Sequence, residues 1–219
     1  MPSTRWLLPV GALAACCATL AGAQPITRAA NTAATPPVVL LEAMDFAFKV
    51  PATAPAGLVT LRLKNSGRSL HHAQLARMSP GQTLADFMTQ LRKQPGSSNW
   101  REAEGGPTTA IGGQVMETQV ILAPGTYAVW CWVTSTEGEP HYMKGMYSKL
   151  DVVGITPPKA AVAKGDVKVT LSDYDYVLSS APAVGVQTWR IENAGPQSHE
   201  VTLVRLNRGK TALRRSSSE

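Results

Sequence analysis

The apolar residues of this chain come in short runs separated by proline and glycine. Residues 59–64, VTLRLK, alternate apolar and polar positions, the period of a strand with one buried face. The run VVLLEAMDFAFKV at 38–50 precedes them, and the breaker PATAPAG between the two marks a turn. Strand-length patterns return at 73–78, at 114–122, after the turn PGTY at 124–127, and before Val153. Strands of this length between such turns predict an all-β sandwich or barrel. One segment has a different period. Thr83 and Asp86 have capping-box spacing, and Leu84, Phe87, Met88 and Leu91 fall at i, i+3, i+4 and i+7. This predicts one inserted helix running to about Lys93 and ending before Pro95 and Gly96. Met88 lies on its apolar stripe and is read as core, not as a ligand. Residues 97–113 form a polar, glycine-rich excursion in which Trp100 is expected to cap an apolar patch.

The end of the chain repeats its beginning. A shift of 128 residues lays DYDY (173–176) on DFAF (45–48) and NAGPQSH (193–199) on NSGRSLH (65–71). The same shift lays residues 201–206 on 73–78 and Gly209 and Thr211 on Gly81 and Thr83. An ungapped match over about 40 residues that keeps a histidine argues for duplication of one unit. It also separates two adjacent histidines, because His71 has a counterpart in His199 whereas His72 aligns with Glu200. On alternation His71 shares a face with Ala73 and Leu75 while His72 points the other way. The second copy is incomplete: after Thr211 the sequence reads ALRRSSSE, without a second PGTY turn, cysteine or His-Met pair.

The termini and linkers complete the organisation. Residues 1–23 combine Arg5, an apolar run from Trp6 to Leu20 and the small residues Ala21, Gly22 and Ala23, the pattern of a secretory signal peptide. An alternative cleavage before Cys16 has the form of a bacterial lipobox and would attach the chain to a membrane by lipidation at Cys16. Either way the chain is expected to be exported, periplasmic or secreted. Residues 24–37, rich in Ala, Thr and Pro, read as a flexible tether, 38–154 as one β domain, 155–166 as a linker, and 167–219 as the partial second repeat.

Charge adds little. The net +6 includes a basic stretch at 205–215, but no aromatics interleave with it, so nucleic-acid binding is not expected; the charge suits a solvated surface, an acidic redox partner or an anionic membrane surface.

Candidate chemistry concentrates in residues 124–152. Cys131 is the one cysteine outside the N-terminal apolar segment, and His141 and Met146 follow it. A thiolate, an imidazole and a thioether on one loop form a soft-metal ligand set that favours copper. A lone cysteine in an oxidising compartment has no disulfide partner, which ligation would explain. The competing reading is a structural cysteine, packed as a small hydrophobe between Trp130 and Trp132.

These motifs resemble those of the cupredoxins, the type 1 blue copper proteins. Asn65 and Gly67 leading to His71 match the family's turn before its first ligand histidine. Pro124, Gly125 and Tyr127 before Cys131 match its turn and strand ending in the ligand cysteine, and His141, Gly145 and Met146 match its closing His and Met. The nine residues between Cys131 and His141 are more than in plastocyanin-like or azurin-like members and are similar to the copper domain of nitrite reductases. The resemblance implies a Greek-key β-sandwich holding one copper ion, with His71, Cys131 and His141 as a trigonal plane, Met146 as axial ligand, and His72 and Asn65 as outer-shell supports. It implies one-electron transfer with a redox protein as partner. A metal-free interaction module is a second reading, and copper storage or delivery, with a copper donor or acceptor as partner, a third. No nucleophile motif such as GxSxG is present, so an enzyme is not expected.

Overall fold

In the computed structural model, residues 35–94, 103–155, 164–197, 199–203 and 205–211 are described. The signal peptide with Cys16, Trp100 and most of the linker lie outside the described residues.

Alternation builds the first sheet. β1 (Val38–Met44) turns Val39, Leu41 and Ala43 inward, and β4 (Gly57–Asn65) does the same with Val59, Leu61 and Leu63. β1 runs parallel to β4 and antiparallel to β2 (Ala47–Lys49), while β4 pairs antiparallel with β7 (Val115–Leu122), giving the order β2-β1-β4-β7. The second sheet has the order β3-β9-β8-β5-β6. Its strands are β3 (Thr53–Pro55), β5 (Gln74–Arg77), β6 (Ala103–Gly105), β8 (Gly125–Trp130) and β9 (Tyr147–Val153). One buried cluster takes side chains from both sheets, among them Leu41, Leu61 and Leu63 from the first and Leu75, Val129 and Leu150 from the second. The described residues are therefore mostly β, with one α-helix.

That helix, α1 (Leu84–Lys93), starts where its capping box does. Thr83 accepts from the Asp86 N–H through its hydroxyl, and the Asp86 carboxylate accepts from the Thr83 N–H, each at 3.1 Å. Phe87, Met88 and Leu91 pack with Ala76, Ala128 and Trp130, the residues of β5 and β8 that alternate away from the shared cluster. The second sheet is thus covered on both faces.

Two short strands depart from the sequence reading. The breaker PATAPAG contains β3, which pairs with β9 at the margin of the second sheet. Pro55 is compatible with a strand there because an edge position does not need every donor. The excursion at 97–113 contains β6, which adds to β5 at the other margin, and Ala110 forms an isolated bridge with His71. Glycine and polar content hid both, since edge strands bury too little to show alternation.

A third sheet, β11-β10-β12, is made of β10 (Val167–Ser172), β11 (Asp175–Leu178) and β12 (Trp189–Asn193). Its pairing repeats that of β1, β2 and β4. Ser172 opposes Asp175 as Met44 opposes Ala47, and Val167 opposes Trp189 as Val39 opposes Leu61. The turn residues Phe46 and Tyr174 share a left-handed backbone, with φ of 63° and 68°. Residues 201–203 and 205–206, aligned by sequence with β5, form no strand. In the second sheet β5 hydrogen-bonds to β8, and among the described residues no β8 counterpart pairs with the matched stretch.

Candidate metal centre

Register brings the two strands that carry the site together. β5 and β8 are antiparallel with Gln74 opposite Trp130, and alternation puts Leu75, Tyr127 and Val129 toward the shared cluster. Continuing that alternation past the strand ends, Ala73, His71 and Cys131 also face inward, and all three are fully or almost fully buried. His72 points the other way, as the alternation predicts. Its Nε2 accepts the N–H of Trp132 at 2.9 Å, tying the segment before β5 to the segment after β8.

The loop from Cys131 to Met146 closes on itself. Within it, Thr134 bridges Pro140, the Ser135 N–H donates to Glu139 O at 2.8 Å, and Gly138 turns with φ 89°, so most of the nine residues between Cys131 and His141 form a small hairpin. The hairpin returns the chain to its start, where the His141 N–H donates to Val133 O at 2.8 Å and the Tyr142 N–H to Cys131 O at 3.0 Å. A single 3₁₀ turn, His141–Lys144, ends on Gly145 with φ 102°, a left-handed cap that glycine adopts without strain. The Cys131 N–H donates to Met146 O at 3.2 Å and the Met146 N–H to His141 O at 3.1 Å. Cys131, His141 and Met146, spread over sixteen positions, are bound to one another through the backbone.

The result is a group of three donors. Ligand atoms of His71, Cys131 and His141 all lie within 4.8 Å of one another. The two Nδ1 atoms are 3.1 Å apart and the Cys131 Sγ is 3.7 Å from Nδ1 of His141. Met146 is fully buried in the same cluster as Cys131. Asn65 holds the turn before His71: its Nδ2 donates to Ser69 O at 2.8 Å and Ala110 O at 2.9 Å, and its Oδ1 accepts from the Gly67 N–H at 2.9 Å.

The electrostatics suit neutral nitrogen donors. Burial lowers the pKa of His71 against the opposing hydrogen bond and charge of Asp45. Burial also lowers His141, helped by the neighbouring His71 and Lys144. His72 falls to about 4, through burial first and then the two other imidazoles. Burial pushes the Cys131 thiol up to about 11, opposed by the N–H groups of His72 and Val133 that reach its sulfur. The imidazoles are therefore neutral at pH 7, and the thiol would lose its proton on capturing a metal.

Two further residues touch the site and carried no ligand-like signal in the sequence. Asp45 Oδ1 is 3.3 Å from Nε2 of His71. The Phe46 ring meets His141 edge-on with centroids 5.0 Å apart, and the Lys144 ammonium sits 5.0 Å over the Phe46 ring. The repeat was the one available pointer, since it pairs Asp45 with Asp173.

No known family profile matches the chain. No curated protein matches it either. Among solved structures it is similar to the dithionite-reduced auracyanin of Roseiflexus castenholzii, with 17% identity over 55% of this chain and 99% of that one and a TM-score of 0.40. It is also similar to auracyanin A, described as a "blue" copper protein, of Chloroflexus aurantiacus, with 21% identity over 54% of this chain and 99% of that one and a TM-score of 0.38. A third likeness is to an oxidised amicyanin mutant, with 13% identity over 52% of this chain and 81% of that one and a TM-score of 0.32.

Proposed function

We propose that the chain is an exported, cupredoxin-like copper protein that carries single electrons between redox partners, using His71, Cys131, His141 and Met146 to hold one copper ion. The observation that carries the reading is the burial of two imidazoles and a thiol with ligand atoms within 4.8 Å of one another. The donor set fits: two neutral ring nitrogens and a thiol are the ligands copper prefers, and the carboxylate nearby lies on the far side of His71, at Nε2. Copper bound there would supply one-electron redox chemistry.

The protein's part is to keep the donors still. His71 is fixed by its bridge to Ala110 and by the Asn65 turn, and the other donors by the backbone bonds joining Cys131, His141 and Met146. Donors held this way need little rearrangement when the charge at the site changes. In this reading the first two sheets form the Greek-key sandwich, the third is the incomplete second copy, and the 131–141 segment is the nitrite-reductase-like loop, its length absorbed by the hairpin. Export rests on the signal pattern of residues 1–23, and cleavage after Ala23 would leave Cys131 as the sole thiol. Among the described residues no helix is long and apolar enough to cross a membrane.

Addition of Cu(II) to the purified protein should produce, at one equivalent, an intense visible absorption from thiolate-to-copper charge transfer. Cys131→Ser should abolish it. A colourless wild-type protein with no bound copper would leave the interaction-module reading in its place, and transfer of copper to a chelator within the mixing time would favour delivery.

A further inference from the structure

The geometry points to Asp45 as a positioning residue for this site: its carboxylate keeps the ring proton of His71 on Nε2, so that Nδ1 is bare toward Cys131 and His141, and its charge behind the ring favours the oxidised over the reduced ion. The inference rests on the copper reading for its second half only.

A carboxylate is an acceptor, so the 3.3 Å approach of Asp45 Oδ1 to His71 Nε2 needs the hydrogen on the imidazole. Neutral His71 has one ring proton, and Asp45 claims it. The 3.1 Å contact between the two Nδ1 atoms must then be made with the proton of His141, His71 accepting. Asp45 is itself held. The same Oδ1 accepts the N–H groups of Arg68 at 2.9 Å and Ser69 at 3.0 Å, both from the turn that leads to His71.

Gly67 makes the approach possible. A Cβ there would lie 2.6 Å from Asp45 Oδ1 and 3.1 Å from His71 Nε2, so any side chain would displace the carboxylate from the ring. The same arrangement recurs beside the third sheet. Asp173 Oδ1 is 2.9 Å from His199 Nε2, and a Cβ on Gly195 would lie 2.5 Å from Asp173 Oδ1 and 3.2 Å from that ring nitrogen. Among the described residues the one group of such donors is that of His71, Cys131 and His141, and His199 is not part of it. The Asp173–His199 pair therefore supplies an internal control.

The first test needs no metal. Long-range ¹H–¹⁵N spectra of the full chain without copper should show His71 protonated at Nε2, with the preference lost in Asp45→Ala; a proton on His71 Nδ1 in the wild type would overturn the inference. The second test uses Cu(II) and Cu(I) alone as probes. Asp45→Asn keeps the acceptor oxygen and removes the charge, and should weaken Cu(II) binding about tenfold relative to Cu(I), raising the one-electron potential by about 59 mV. Asp173→Asn should leave the potential unchanged. If Asp45→Asn lowers the melting temperature as Asp173→Asn does and moves the potential no more than it does, Asp45 is a folding element only. A wild-type protein that binds no copper would refute the copper reading and the charge half of the inference, while the spectra would still decide the tautomer half.

Discussion

Single residues at this site act through what surrounds them. Gly67 shows this most directly, because its role is to leave room: the carboxylate and ring nitrogen it admits lie where a methyl group would sit. Gly67→Ala is expected to cost about 1–3 kcal/mol by overpacking, read as a lower denaturant midpoint at unchanged slope. The sequence displays Gly67 as part of a turn and Asp45 as an acid in an apolar run. That they meet His71 is not visible in any local pattern, because Asp45 and His71 are separated by twenty-six positions. His71 and Cys131 were easier to single out. Their residue types are chemically loud, and the match at a shift of 128 residues chose His71 over its neighbour.

At the scale of elements, local signals and local structure agree where the interaction is local. The capping box of α1 spans four residues and is seen as the sequence predicts. Thr83→Ala should cost about 1 kcal/mol. Hydrogen bonds from the Thr83 hydroxyl and N–H hold the Asp86 carboxyl below its usual 3.8. A carboxyl lowered in the folded state stabilises above its ordinary pKa, and that stabilisation disappears as pH falls through the lower value. Urea titrations from pH 6 to 3 should therefore show a shallower acid decline in Asp86→Asn than in the wild type; an identical decline would contradict the cap's ionic contribution. The edge strands β3 and β6 were not legible, as their ladders depend on neighbours remote in sequence. The hairpin inside the 131–141 loop belongs with them, since only its closure by the Thr134–Pro140 bridge and the His141 N–H explains why a long loop still returns His141 to Cys131.

For the whole molecule, the three sheets differ in how much they bury. The first two share a cluster that includes Leu41, Leu61, Leu75, Tyr127 and Leu150, whereas the third buries Val167, Val169 and Leu171, with Trp189 and Val201 half-buried against them. Local opening costs less where fewer apolar side chains must be exposed. Hydrogen exchange should accordingly be faster at the amides of β10 than at those of β4 and β8 in the same sample. Equal protection would mean that the third sheet gains stability from contacts beyond its own cluster.

The amino-acid order alone determined the periods, two for the strands and 3.6 for α1, and the shift of 128 residues at which two stretches match. It also determined the inventory of soft donors, since residue type sets ligand chemistry whatever the fold. The tertiary structure decided which of those donors meet and which acid stands behind them. Distances across the molecule depend on register and loop closure, and those are set by burying one face of each sheet against the other. His71, Cys131 and His141 converge because β5 and β8 pair in one register and a hairpin shortens the loop between them; Asp45 joins them because a glycine leaves the space.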